Sequence, residues 1–117
     1  MLLKDEHGRP FKKHIADVRD IVQGCLCVLG KERAVGETFQ LAGPRPFTGN
    51  EVSCRLVELL KIPHVEVRAG GSPTFYGFDS SKAQQYIGFG PNYDVVRMIV
   101  DAMSYERGED VGLLPHG

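Results

Sequence analysis

Six consecutive residues, Phe47-Thr48-Gly49-Asn50-Glu51-Val52, fix more of the local backbone than any other stretch of this sequence. Thr48 and Glu51 have the spacing of a capping box, in which each side chain satisfies a backbone N–H at a helix start. Phe47 and Val52 flank them as a hydrophobic staple would. The pattern predicts a helix from about Gly49 to Lys61 with Val52, Leu56, Leu59 and Leu60 on its buried face. Just upstream, Gly43-Pro44-Arg45-Pro46 breaks whatever comes before, because proline fixes φ and restricts its neighbour.

A second helix is equally clear. Asp17 stands where an N-cap belongs, and Val18, Ile21, Val22, Cys25 and Leu29 follow as a one-sided helical stripe. Gly30 supplies the residue that ends it. Asp79 is placed to cap a short helix running through Ile87, which Gly88 stops. Gly90-Pro91-Asn92 opens a last helix with Val95, Val96, Ile99, Ala102 and Met103 on one face. Glu37-Thr38-Phe39-Gln40-Leu41 and Val65-Glu66-Val67-Arg68 alternate polar and apolar and predict strands. Phe11 to Ala16 and Thr74 to Phe78 read as extended, His7-Gly8-Arg9-Pro10 as a turn and Ala69 to Pro73 as a loop.

These elements predict an α/β fold, a small single domain over residues 1–117 of about four helices with short strands. The tail, 106–117, is expected to be irregular, with Leu113 and Leu114 docking back. With 42% apolar and 25% charged residues the chain is long enough to bury a core and too ordinary in composition for disorder. Fourteen Lys and Arg against fifteen Asp and Glu leave a net charge of -1, which argues against a nucleic-acid partner. No run approaches the ~20 apolar residues of a membrane span, and the charged opening is unlike a signal peptide. Three cysteines in no scaffold spacing suit a reducing compartment, so a cytoplasmic location is expected.

Metal and nucleophile chemistry find little support. The thiols of Cys25 and Cys27 diverge by about 200° on a helix, and Cys25 reads as a small hydrophobe on the stripe. His7, His14, His64 and His116 have no ligand spacing, so no metal is expected. There is no G-x-S-x-G elbow, and Cys54 lies within a helix with no local base. Of the paired acids, Asp17/Asp20 and Glu109/Asp110, Asp17 is a cap and Asp20 a first-turn acid that the helix dipole favours. Gly70-Gly71 and Gly88-Phe89-Gly90 lack the order of a dinucleotide-binding loop. Arg68, at a strand end beside the first of them, is the better candidate for holding an anion as a bidentate donor. Lys12, Lys13 and His14, with Arg9, form a second basic cluster that could face an acidic ligand. For both, the plainer reading is a solvated surface.

Taken in order, several segments resemble one family. His14-Ile15-Ala16-Asp17-Val18-Arg19-Asp20 is similar to the H-V-x-D-V-x-D segment of NAD-dependent epimerase/dehydratases, the extended short-chain dehydrogenase/reductases. Gly36 to Gly43 resembles the G-x-x-F-N-I-x-G strand that follows there, and Phe47-Thr48 with Glu51 resembles the next helix start. Phe78-Asp79-Ser80-Ser81-Lys82-Ala83 and Ile87-Gly88-Phe89-Gly90-Pro91 look like Y-D-x-S-K-A and L-G-[FWY]-x-P. The resemblance implies the C-terminal, substrate-binding lobe of such an enzyme, without the Rossmann half that holds the cofactor. In Arg68-Ala69-Gly70-Gly71 the arginine of the family's R-x-G-D segment is kept and its aspartate replaced, and Pro10 stands where a basic residue often precedes the H-V-x-D segment. The family's glycine-rich NAD(P) turn and Y-x-x-x-K pair have no counterpart: Tyr76, Tyr86, Tyr93 and Tyr105 precede Ser80, Gly90, Arg97 and Glu109 at that spacing.

The expectation is therefore a domain with no catalytic residue, bound cofactor or metal of its own. It would bind a sugar or nucleotide-sugar through Arg68, Lys12, Lys13 and His14, with Asp17, Thr48, Glu51 and Asp79 as caps. Strands and apolar faces that lose their cover in such a fragment imply self-association, a dimer or larger homo-oligomer. The alternatives are a split NAD(P)-dependent epimerase/dehydratase, completed by a separate Rossmann chain, and a repurposed interaction or ligand-sensing module.

Overall fold

The computed structural model describes residues 2–71 and 75–112. Among them four helices and four short strands follow in the order β1 (Leu2–Lys4), β2 (Lys12–Lys13), α1 (Val18–Val28), β3 (Phe47–Thr48), α2 (Gly49–Leu60), β4 (Glu66–Arg68), α3 (Ser81–Ile87) and α4 (Val95–Glu106), with a 3₁₀ turn at Glu32–Ala34. This is the small α/β composition that the sequence predicts. The chain gathers into two units, residues 1–15 with 45–77 and residues 16–44 with 78–117.

In the first unit, β1 runs parallel to β4 with Leu2, Leu3 and Lys4 opposite Glu66, Val67 and Arg68. Strand β1 is an addition to the sequence reading, which sees only the turn that follows it. Antiparallel to β3 lies β2, pairing Lys12 with Thr48 and Lys13 with Phe47. Helix α2 starts on the Thr48 cap, whose Oγ1 accepts the Glu51 N–H at 3.4 Å. It ends at Lys61, which takes a left-handed conformation (φ 52°). Against β1 and β3, α2 half-buries Val52, Leu56 and Leu59. Leu60, expected on the buried face, is 46% exposed. Ile62 and Val65 beside it in sequence are exposed too, so the end of the helix lacks cover in this unit.

The second unit holds the apolar core: Ala83, Ile87 and Phe89, with Cys27, Val28, Ala34, Phe39, Leu41 and Tyr86 packed around them. Helix α1 has the predicted bounds, closing through Leu29 onto Gly30 at φ 70°. Its orientation differs from expectation. Of the stripe read as a core face, Val18, Val22, Cys25 and Leu29 point outward and Ile21 is half-buried. The inward face runs instead through Asp20, Gly24, Cys27 and Val28. Gly24 permits this: a Cβ there would lie 2.6 Å from Leu41 Cδ1 and 3.3 Å from the Phe89 ring.

The segment Glu37–Leu41 is extended but is not a strand, and none of the described strands pairs with it. Its alternation is real, with Phe39 and Leu41 half-buried and Thr38 and Gln40 exposed. A ladder needs a second strand, which alternation alone cannot supply. Helix α3 ends at Gly88 (φ 72°), as read. Helix α4 begins at Val95 behind the cap Asp94, later than the Gly90-Pro91-Asn92 start. The cause is Asp20, which is 1% exposed and accepts the backbone N–H groups of Asn92 and Tyr93 at 2.8 and 3.0 Å, holding that segment outside the helix. So Asp20 is a buried tether rather than a surface acid. On α4, Val95 is buried and Val96, Ile99 and Met103 are half-buried, while Ala102 is exposed. A turn follows at 107–108, and Leu113, Leu114 and His116 lie outside the described residues.

Gly24→Leu is expected to cost about 1–3 kcal/mol through overpacking against Leu41 and Phe89. Gly24→Ala should cost less, because its helix propensity gain of roughly 1 kcal/mol offsets part of the crowding. Urea unfolding midpoints of the two variants check the ordering.

Candidate functional site

The best-built turn in the first unit joins β1 to β2, and one aspartate organises it. Asp5 is fully buried. Its Oδ1 accepts the N–H groups of His7 (3.0 Å) and Arg9 (2.6 Å), and its Oδ2 accepts Arg9 Nε–H at 2.7 Å. The main chain closes the loop, Asp5 N–H donating to Arg9 O and Gly8 N–H to Asp5 O, with Gly8 at φ 77° where side chains are strained. Burial alone would raise the Asp5 carboxyl, but the hydrogen bonds from Arg9 and His7 outweigh it and hold the group below its ordinary value. An aspartate three residues before a glycine is the sequence signal of such a turn.

The consequence falls on Arg9. Its guanidinium is held from behind at Nε while the side chain stays 57% exposed, so the two terminal amino groups are oriented and open. It stands 5.9 Å over the Phe75 ring. Phe75 in turn bridges to Lys12, whose carbonyl accepts the Tyr76 N–H at 3.1 Å.

Arg68 sits at the end of β4 and is exposed. Its Nη2 comes within 3.8 Å of where a Gly8 Cβ would stand, which puts it at the same turn as Arg9. Its strand neighbour Glu66 is engaged by Lys4 at 2.7 Å, and that bond lowers the Glu66 carboxyl. The Arg68 charge adds a smaller pull in the same direction on the Glu66 carboxyl. Lys12 and Lys13 are both exposed on β2 and, being consecutive in a strand, project to opposite faces. His14 is half-buried just past that strand. The geometry thus places Arg68 at the Gly8 turn that Arg9 closes and links Lys12 to Phe75. Two open guanidinium groups at one turn suit an oxyanion such as a phosphate or carboxylate. They supply recognition, with no nucleophile or proton donor among them.

A second polar cluster, in the other unit, is structural. The Asp17 carboxylate caps α1 by accepting Arg19 N–H (2.9 Å) and also takes Arg19 Nε–H and Nη2–H at 2.9 and 2.8 Å. Arg19 Nη1 donates to Asp101 (2.7 Å) and to the Val111 carbonyl (2.7 Å), and its plane lies 3.7 Å from the Tyr93 ring centroid. Arg97 adds a bond to Asp101 at 2.8 Å. The hydrogen bond from Arg19 is the main reason Asp17 titrates below its ordinary value. At Asp101, burial works the other way and is outweighed by Arg19 and Arg97. The remaining caps differ in form. Glu51 is bonded by Arg45, and Asp79 accepts from Ser81 N–H (2.8 Å) while Ser80 occupies the cap position itself.

Among the described residues no group of three or more His, Cys, Asp and Glu could hold a metal ion, and no helix is long and apolar enough to cross a membrane. No protein-family model matches the chain, and no curated protein does. By structure, the chain is similar to a short-chain dehydrogenase/reductase superfamily protein from Agrobacterium tumefaciens with bound NAD. The TM-score is 0.83 and the identity 31%, over 92% of this chain and 33% of that one. It is also similar to UDP-glucuronic acid 4-epimerase from Bacillus cereus in complex with UDP-glucuronic acid and NAD (TM-score 0.69, 14% identity, 91% of this chain and 35% of that one). A third likeness is to RMD from Pseudomonas aeruginosa complexed with NADPH (TM-score 0.66, 12% identity, 91% of this chain and 36% of that one). The chain therefore has the fold of part of a short-chain dehydrogenase/reductase and spans about a third of each solved chain it matches, which fits a fragment of that family.

Two measurements test the structural cluster. Arg19→Met leaves the carboxylates of Asp17 and Asp101, each about a tenth exposed, without their shared partner and should cost about 3 kcal/mol in urea unfolding. Asp5, Asp17 and Asp101 all titrate below 3.8 when folded, so the unfolded chain takes up protons first on acidification. Their contribution is whole above that value and is lost as pH falls through the folded values. The unfolding midpoint should drop steeply below about pH 4 and less steeply in Arg19→Met.

Proposed function

We propose that this chain is a substrate-lobe-like domain related to the NAD-dependent sugar epimerases and dehydratases. In this reading it is non-catalytic by itself and binds an anionic sugar or nucleotide-sugar at the Gly8 turn. The observation that carries the proposal is the Arg9 guanidinium, pinned by a fully buried aspartate at the turn where Arg68 Nη2 reaches Gly8. An arginine oriented before the ligand arrives loses less side-chain freedom on binding, which favours affinity for an anion. The fold supports the same reading, since one structural neighbour was solved with UDP-glucuronic acid, which offers both a diphosphate and a carboxylate. The chemistry of hydride transfer would come from elsewhere, because the sequence carries neither a glycine-rich dinucleotide turn nor a Y-x-x-x-K pair.

A second reading is a split enzyme completed by a separate Rossmann chain in the cytoplasm. It is favoured by Glu37–Leu41, whose alternating pattern is that of a strand awaiting a neighbour. NAD(P)-linked turnover that appears only when such a chain is mixed with this one is the outcome that reading expects.

Calorimetric titration with UDP-glucuronic acid, UDP-glucose and glucuronate tests the first reading. Binding is expected, and Arg68→Ala and Arg9→Ala should each weaken it about ten- to a hundredfold. Arg68→Ala should leave the melting temperature of the free protein unchanged, since the side chain is exposed. Binding that ignores both substitutions, or no binding to any of the three, rejects the proposal.

A further inference from the structure

The Gly8 turn carries several charges, and most of them are already engaged with one another. Arg9 gives its Nε–H to the fully buried Asp5 at 2.7 Å, and Lys4 Nζ reaches Glu66 at 2.7 Å. Glu66 also lies in the field of Arg68, which stands two residues along β4 on the same face and helps to lower its carboxyl. Glu6, next to Asp5, is exposed and lies 3.5 Å from His7 Nε2. The contacts that tie Lys12 to the turn run through its backbone, to Phe75 and Tyr76. Lys4, Arg9 and Arg68 thus face Asp5 and Glu66, an excess of a single positive charge. Hydrogen-bond donors are plentiful there, while net charge is small. The balance is set by groups bonded to one another inside the turn, so it holds whatever surrounds the rest of the ligand.

We propose that this turn takes the singly charged carboxylate of a sugar acid in preference to a doubly charged phosphate, and that Glu66 sets the preference. The inference rests on the reading of the turn as an anion site. The cost of taking an ion out of water grows with the square of its charge, whereas its attraction to a fixed cation grows only in proportion. One excess positive charge therefore matches a monoanion and leaves half of a dianion uncompensated. Arg9 serves either ligand equally. A guanidinium balanced by Asp5 still offers its terminal N–H groups in one plane, a geometry that fits both carboxylate and phosphate. Shape admits both anions, and charge chooses between them. UDP-glucuronic acid, found with one structural neighbour, carries a carboxylate as well as a diphosphate. Of those two groups, the charges at this turn favour the carboxylate.

Calorimetric titration with glucuronate and with glucose 6-phosphate tests the preference, because both sugars carry their charge at the same end of the ring. At about pH 7.5 the phosphate is past its second pKa of about 6 and is close to doubly charged. Glucuronate should bind at least about threefold more tightly to the wild-type chain. Glu66→Gln removes one carboxylate and releases Lys4, so it should strengthen glucose 6-phosphate about fivefold and glucuronate by less, closing or reversing the gap. Its melting temperature should barely move, since the lost ion pair has a half-exposed glutamate. The wild-type comparison decides the ligand class without any variant. Tighter binding of glucose 6-phosphate than of glucuronate overturns the proposal, and so does a Glu66→Gln chain that binds the two with an unchanged ratio. Both results leave the anion site standing so long as Arg68→Ala weakens binding. Failure of glucuronate, glucose 6-phosphate and UDP-glucose alike to bind removes the anion site itself, and this inference with it.

Discussion

A carboxylate taken out of water without partners costs several kcal/mol, and this chain buries four of them: Asp5, Asp17, Asp20 and Asp101. Among the described residues the buried apolar side chains are Ala42, Ala83, Ile87, Phe89 and Val95. Each acid is made tolerable by donors supplied locally. Backbone N–H groups and one guanidinium serve Asp5, two backbone N–H groups serve Asp20, and Arg19 is shared between Asp17 and Asp101. The carboxylates act as fasteners for backbone that no sheet ladder holds. Asp20 fixes the approach to α4, Asp17 the start of α1, and Asp5 the return from β1 to β2.

The same device links stability to recognition. At the Gly8 turn the buried acid organises the loop and aims the arginine with one set of hydrogen bonds. In the second unit a comparable arrangement is closed off: Arg19 is only about a tenth exposed, and its donors are spent on Asp17, Asp101 and the Val111 carbonyl. Two arginines bonded to aspartates thus differ in role because one keeps its outer donors in water and the other does not.

What was legible in the sequence follows from the range of each interaction. The Thr48 cap, the Asp17 cap and the stops at Gly30 and Gly88 depend on residues within one or two turns, and each lies where it was read. Periodicity groups Val18, Ile21, Val22, Cys25 and Leu29 on one side of α1, and all of them but the half-buried Ile21 turn out to share one exposed face. It could not say which way that face turns, because direction is set by Gly24 meeting Leu41 and Phe89 far along the chain. The Glu37–Leu41 strand failed for a related reason, since alternation describes two sides of a segment and not its neighbour. Arg68 drew notice as a cation at a strand end. Arg9 looked like one member of a basic run, and only the hydrogen bonds of Asp5 separate it from Lys12 and Lys13. Arg19 and Asp101, 82 positions apart, could not be joined by inspection.

The way the two units share the chain has a biosynthetic consequence. Each is assembled from two stretches, 1–15 with 45–77 and 16–44 with 78–117, so they interleave instead of following one another. During translation the first is incomplete until residue 77 has emerged, and the second must hold α1 in waiting until α4 arrives to receive Arg19. Neither can be excised by one cut, and a protease that nicks the chain between 44 and 45 severs both at once.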